Sequence, residues 1–162
     1  TVLDIHELAA GKLVALLDRH ASRDLFDAHH LLTRTDLVGE KLRLGFVLYG
    51  AMNRRDWRTV SLDDIEFEKS ELENLLLPLV RKELLEVELS ADWADKMTQE
   101  CKSAMNIILP LRENEIAFFN AILDNGEIKP ELLTNNADLI ERIATHPLLL
   151  WKAVNVQQHK HR

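Results

Sequence analysis

From Ile5 to Leu17 the apolar residues Ile5, Leu8, Ala9, Leu13, Leu16 and Leu17 recur at intervals of three and four, the spacing of one helical face. A turn-rich β protein needs frequent glycine and proline, and this chain has 5 and 4 of them in 162 residues, with abundant leucine. The spacing therefore predicts an all-α fold: an irregular bundle of about seven or eight helices joined by short links. At 46% hydrophobic residues the chain can bury a sizeable core. We read it as one helical domain over 1–162, with a hairpin over 1–35, middle helices over 36–110 and C-terminal helices over 111–162.

The boundaries follow from caps and breakers. Thr1 to Ile5, β-branched at Val2 and Ile5, reads as a short edge strand or an extended lead-in. Ile5 to His20 is the first helix. Ser22 is the expected N-cap of a second, running from Arg23 to Thr33 with Leu25, Ala28, His29 and Leu32 inward. A third runs from Asp36 to Met52. Ser61 or Asp63 caps a further segment, and Ser70 to Leu85 has helical spacing interrupted by Pro78. Ser90 caps a helix from Asp92 to Leu109, which stops at Pro110. Asn114 to Asp124 is closed by Asn125-Gly126 as a left-handed cap. Asn136 or Asp138 opens a helix to His146, and Pro147 starts a last short one to Val156.

Within the first helix Lys12 stands four residues after Leu8 and four before Leu16, inside the apolar stripe. A charge on an inward face is costly unless it has a partner. Arg19 follows seven residues on, on the same side. On the second helix Arg23, Asp27, His30 and Arg34 form one polar line, and Arg23 and Asp27 can pair at i, i+4. If the two helices fold back on each other, Lys12, Arg19, Arg23 and Asp27 face one cleft. Lysine and arginine there suit a phosphate, and aspartate could orient them or accept a proton. A snorkelling lysine with surface ion pairs is the alternative.

Other candidates carry less chemistry. Adjacent His29 and His30 point about 100° apart on a helix and cannot share one metal. His6, His20 and His146 have no ligand-like neighbours in sequence, and His159 to Arg162 reads as a loose end. Cys101, the single cysteine, reads as a small helix residue in a reducing compartment. Ser22 has no base beside it. Arg54-Arg55-Asp56-Trp57-Arg58 could grip RNA by charge and stacking, or form a solvated loop anchored by its tryptophan. Trp93 and Trp151 are expected in the core. The net charge of −7 argues against binding nucleic acid by bulk charge. Residues 1–60 balance at +1 and residues 61–162 at −8, so an anion should prefer the N-terminal part. Neither a secretory signal nor a membrane-spanning apolar run is present in the sequence.

The run Glu7-Leu8-Ala9-Ala10-Gly11-Lys12-Leu13, with Arg19 and Arg23-Asp24-Leu25-Phe26-Asp27, resembles a motif of the AbiEii/AbiGii nucleotidyltransferase toxins. Three later blocks, 113–119, 126–133 and 146–155, resemble the helical C-terminal region of that family. The resemblance implies a cytoplasmic, bacterial toxin of a toxin–antitoxin or phage-exclusion system that transfers nucleotides from an NTP with magnesium. In some members the acceptor is the end of tRNA. It implies Lys12 and Asp27 as catalytic residues, with Lys12, Arg19, Arg23 and Asp24 contacting the nucleotide. It also implies an antitoxin that acts without a stable complex. The family's Gly-Ser motif and acidic pair are missing: no Gly-Ser dipeptide occurs, and Asp64-Ile65-Glu66 falls after Lys12, in the wrong order. The chain is thus expected to be the C-terminal part of such a protein, binding no metal and inactive alone. The other reading is a non-enzymatic helical module that docks protein or RNA.

Overall fold

The computed structural model describes residues 4–65 and 93–160. Their regular structure is helical, with no strand among the described residues. Seven α-helices are found there: α1 (Ile5–Arg19), α2 (Ser22–Arg34), α3 (Gly39–Met52), α4 (Trp93–Met105), α5 (Glu113–Asn125), α6 (Ala137–Ala144) and α7 (Pro147–Lys160). Short 3₁₀ turns occupy Trp57–Thr59, Leu62–Asp64 and Pro130–Leu132. The helix expected over 70–85, the kink at Pro78, the cap at Ser90, Glu66 and the terminal residues 1–3 and 161–162 lie outside the described residues. So does Asp92, where the next helix was expected to start. No helix among the described residues is long and apolar enough to cross a membrane.

The chain forms two compact units. One comprises residues 1–46 and 61–109, the other residues 47–60 and 110–162, and the division within α3 falls between Phe46 and Val47. In the first unit α2 packs against both α1 and α4, and α1 carries a long buried line. Ala9, Ala10, Leu13, Leu16 and Leu17 are all at most 1% exposed. The small residues allow close approach: a Cβ added at Gly45 of α3 would lie 3.0 Å from the Ala10 Cβ. Leu25 and Ala28 of α2, Leu42 and Phe46 of α3, and Cys101 and Met105 of α4 complete this core.

The expected strand does not reach Ile5. The Asp4 carboxylate accepts from the His6 backbone N–H at 2.8 Å and starts α1 there. That cap satisfies an otherwise orphaned helix donor and overrides the local β preference. His6 joins two segments. Its Nδ1 hydrogen-bonds Asp4, and its Nε2 accepts from the Val38 N–H at 2.9 Å, so the ring proton sits on Nδ1. The second helix begins a residue before its predicted start: Ser22 is inside α2 and buried, and Ala21 stands at the cap with no side-chain bond.

The second unit packs α5 with α7 around Phe118, Phe119, Ile122 and Leu149, all fully buried. Gly126 ends α5 in the left-handed conformation, φ 65°, as the Asn-Gly pair predicted. A Cβ there would lie 2.5 Å from the Ala153 carbonyl, so only glycine fits. Trp57 is also fully buried, with its ring against Gly50 of α3. Arg55 stacks its guanidinium 5.9 Å from that ring's centroid. Trp57 is therefore an internal anchor and offers no face for a stacked base. Trp151 departs from expectation in the opposite direction: it is 62% exposed. The inward line of α7 is Leu149 and Ala153, and Trp151 falls on its outer side.

Arg58 fixes the basic loop to α5. It donates to both carboxylate oxygens of Asp56, to Asn120 Oδ1 at 2.9 Å and to Asp124 Oδ2 at 2.7 Å. These bonds hold the Asp56 carboxyl below its ordinary pKa and keep Arg58 charged.

Two outcomes follow from this packing. A Cβ at Gly50 would lie 2.0 Å from Trp57 Cδ1. Helix propensity favours alanine by up to ~1 kcal/mol, but overpacking costs typically ~1–3 kcal/mol or more. Gly50→Ala should therefore lower the denaturation midpoint; an unchanged or raised midpoint would refute the contact. For Asp56 the folded pKa is depressed, so its stabilisation is present above its ordinary value of 3.8 and lost as pH falls through the folded value. Asp56 is half-exposed, so the effect is small. Unfolding midpoints at pH 7 and pH 3 should differ less in Arg58→Ala than in the parent chain.

Candidate functional site

Two residues connect α1 to α2. His20 adopts the left-handed conformation, φ 54°, and its N–H donates to the Leu16 carbonyl at 3.0 Å, while Ala21 is extended. A link this short sends the second helix back along the first. The side-chain contacts follow that antiparallel register. Arg19 Nε lies 3.6 Å from Asp24 Oδ2 near the turn, and Lys12 Nζ lies 2.7 Å from Asp27 Oδ2 further along.

The geometry brings Lys12 and Asp27 together across the hairpin. Asp27 takes its hydrogen bond from Lys12 rather than from Arg23 of its own helix, and Arg23 is exposed. The Lys12 side chain is not within the buried stripe. Ile5 and Leu8, expected inward, are 39% and 43% exposed, and the buried line is Ala9, Ala10, Leu13, Leu16 and Leu17. Lys12 sits on the flank of that line, at the seam with α2, where its side chain keeps 33% exposure and that of Asp27 keeps 31%. The seam lets the charges meet without full desolvation, which removes the penalty expected for an inward lysine.

The arrangement is a pair of half-exposed ion contacts along one hairpin. The ammonium has three donors, and Asp27 occupies one of them. Arg19 is two-thirds exposed and is held near Asp24 by charge at 3.6 Å, too long for a hydrogen bond. Asp24 is buried on the first turn of α2, where a negative charge complements the helix dipole. Two cations, Lys12 and Arg19, and two carboxylates, Asp24 and Asp27, thus meet across the hairpin.

The remaining candidates have structural roles. His29 Nε2 hydrogen-bonds Glu100 Oε2 of α4 at 2.7 Å, and this holds the Glu100 carboxyl below its ordinary pKa. His30 is exposed and stacks on Phe26, whose ring also approaches Trp93 at 6.5 Å between centroids. Trp93 is partly exposed. Burial pushes the Cys101 thiol up to about 12, so it stays protonated at neutral pH. Asp64 accepts from the Ser61 N–H at 2.7 Å in a capping box, and Ile65 is buried. No group of three or more His, Cys, Asp or Glu side chains among the described residues could hold a metal. Two structural charges carry no helical-periodicity signal. Arg43, 5% exposed, donates to the Ile107 carbonyl at 2.9 Å, and Glu115, 4% exposed, accepts from the Arg112 N–H at 2.7 Å.

The fold and the pair define a helical protein with a lysine–carboxylate site on a hairpin. A model of the family described as nucleotidyl transferase AbiEii toxin, type IV toxin–antitoxin system, matches residues 1–105, and the chain belongs to that family. The match includes Lys12, Arg19, Arg23, Asp24 and Asp27, and ends before the C-terminal blocks at 113–119, 126–133 and 146–155. No curated protein and no solved structure gave a match.

A pair one-third exposed contributes at most ~1 kcal/mol to stability. Lys12→Met or Asp27→Asn should therefore leave the unfolding free energy within about 1 kcal/mol of the parent. A loss of about 3 kcal/mol or more, the signature of a broken buried pair, would make the contact structural.

Proposed function

We propose that this chain is the helical region of an AbiEii-type nucleotidyltransferase toxin and supplies phosphate-contacting side chains to its active centre. The observation that carries the reading is the 2.7 Å Lys12–Asp27 pair, accessible at a helix seam inside the span that the family model matches. Lys12 holds a phosphate oxygen of the NTP by charge-assisted hydrogen bonds, with Arg19 and Arg23 adding charge and Asp24 positioning Arg19. Asp27 orients Lys12 and can take a proton from an acceptor hydroxyl. In the transfer that hydroxyl bonds to the α-phosphorus and pyrophosphate leaves. Magnesium would be held by the carboxylates of an acidic-pair motif that we place upstream of Thr1, since the Gly-Ser dipeptide that accompanies such a pair does not occur in this sequence.

The wider setting extends the same reading: a bacterial, cytoplasmic toxin of a phage-exclusion system, an RNA acceptor such as a tRNA end, and an antitoxin that acts without a stable complex. A non-enzymatic docking module is favoured by one observation, the exposed apolar residues Leu148, Leu150, Trp151 and Val154 on α7.

Transfer of labelled nucleotide by the protein as its gene encodes it separates these readings. Removing one donor to developing charge typically costs ~10²–10³ in rate. Lys12→Ala and Asp27→Ala should each lose activity on that scale and keep their helical circular dichroism. Variants with parental transfer rates and parental growth inhibition would favour the docking module.

A further inference from the structure

The second unit carries a groove of about 580 Å³, lined among others by Arg54, Asp124, Trp151, Lys152, Asn155 and His159. Its size falls in the range of small-ligand sites. Single exposed aromatics are ordinary on protein surfaces. Trp151 differs in its company. It is 62% exposed and sits in the groove with two cations. Arg54 is exposed and has no ion-pair partner among the described residues. Lys152 donates to the Asn53 carbonyl at 2.8 Å, a neutral acceptor, and is half-buried. Burial lowers its pKa, and the charge of Asp56 offsets that only in part.

The one carboxylate in this lining, Asp124, is already bonded to Arg58 at 2.7 Å. The two cations of the lining thus outnumber its one carboxylate, beside an open indole face. Charge distribution agrees. The second unit has nine Lys/Arg against eight Asp/Glu, so the acidic excess of the chain resides in the other unit. The Asn155 amide offers a donor and an acceptor to the edge of a ring stacked nearby.

We propose that this groove binds a phosphate-bearing nucleobase, with the base stacked on Trp151 and the phosphate held by Arg54 and Lys152. An indole gives the base a face, and the paired cations hold the phosphate. The nucleobase can come from a free nucleotide or from an exposed nucleotide of single-stranded RNA. No residue is shared with Lys12 and Asp27, so this site stands or falls apart from the hairpin.

Titration of the chain with AMP and with a hexamer of adenylate RNA at low salt tests the proposal. Calorimetry and the anisotropy of labelled RNA read binding, and tryptophan emission reads stacking. Both ligands, or one of them, should quench emission. Quenching by RNA alone assigns the site to a strand, and by AMP alone to a free nucleotide. Trp151→Ala should weaken binding roughly tenfold to a hundredfold and abolish the quench, while Trp151→Phe keeps most of the affinity. Arg54→Ala should weaken binding and flatten its salt dependence. Lys12→Ala should leave the quench intact. Trp151 is exposed, so its variants should retain the parental circular dichroism. Absence of binding by both ligands, or equal affinity in the parent and Trp151→Ala, would overturn the proposal.

Discussion

The two-residue link at His20 and Ala21 determines which charges of the N-terminal hairpin meet. With so little chain between them, α1 and α2 pack against each other from the turn onward. Arg19 then approaches Asp24, and Lys12 reaches Asp27. A non-glycine residue in the left-handed region costs roughly 1–2 kcal/mol. His20 holds that conformation in the closing bond of α1, between two helices whose inner faces are fully buried. The site is thus a consequence of hairpin closure, and its side chains come from rigid helices rather than from a loop.

Partial exposure is what the proposed role of the Lys12–Asp27 pair requires. A fully buried pair would be locked by desolvation, and a fully exposed one would be screened and mobile. At about one-third exposure the ammonium has a fixed direction and donors still free to exchange partners. The second unit contains the reverse case. Arg58 is engaged by Asp56, Asn120 and Asp124, so it fastens the basic loop. A loop that looks from its letters like one RNA-gripping run is divided by this packing. Trp57 turns inward onto Gly50, Arg58 ties the loop to α5, and Arg54 faces the groove.

Much of this was legible in the sequence. Three- and four-residue spacing identified α1, α3 and α5, and Asn125-Gly126 predicted the left-handed end of α5. The hairpin of Lys12 and Asp27 followed from helical counting once a short turn was assumed. Periodicity could not say which side of an amphipathic helix finds a neighbour. Leu8 and Trp151 are apolar and lie outward, because the faces chosen for burial were those carrying Ala9 and Ala10 in α1 and Leu149 and Ala153 in α7. Nor could it find contacts distant in sequence, such as His6 with Val38 or Arg43 with Ile107, where buried polar groups satisfy backbone atoms. Of the strand or extended lead-in expected up to Ile5, Asp4 is extended and Ile5 is already helical, because the Asp4 side chain caps α1.

The central claim is that Lys12 is held by Asp27 to receive a phosphate. A crystal structure of the protein as its gene encodes it, bound to a non-hydrolysable NTP analogue, measures this directly. The account predicts Lys12 Nζ within hydrogen-bond distance of a phosphate oxygen while still bonded to Asp27. A bound analogue whose phosphates lie away from the α1–α2 hairpin, with the Lys12–Asp27 pair untouched, would contradict it.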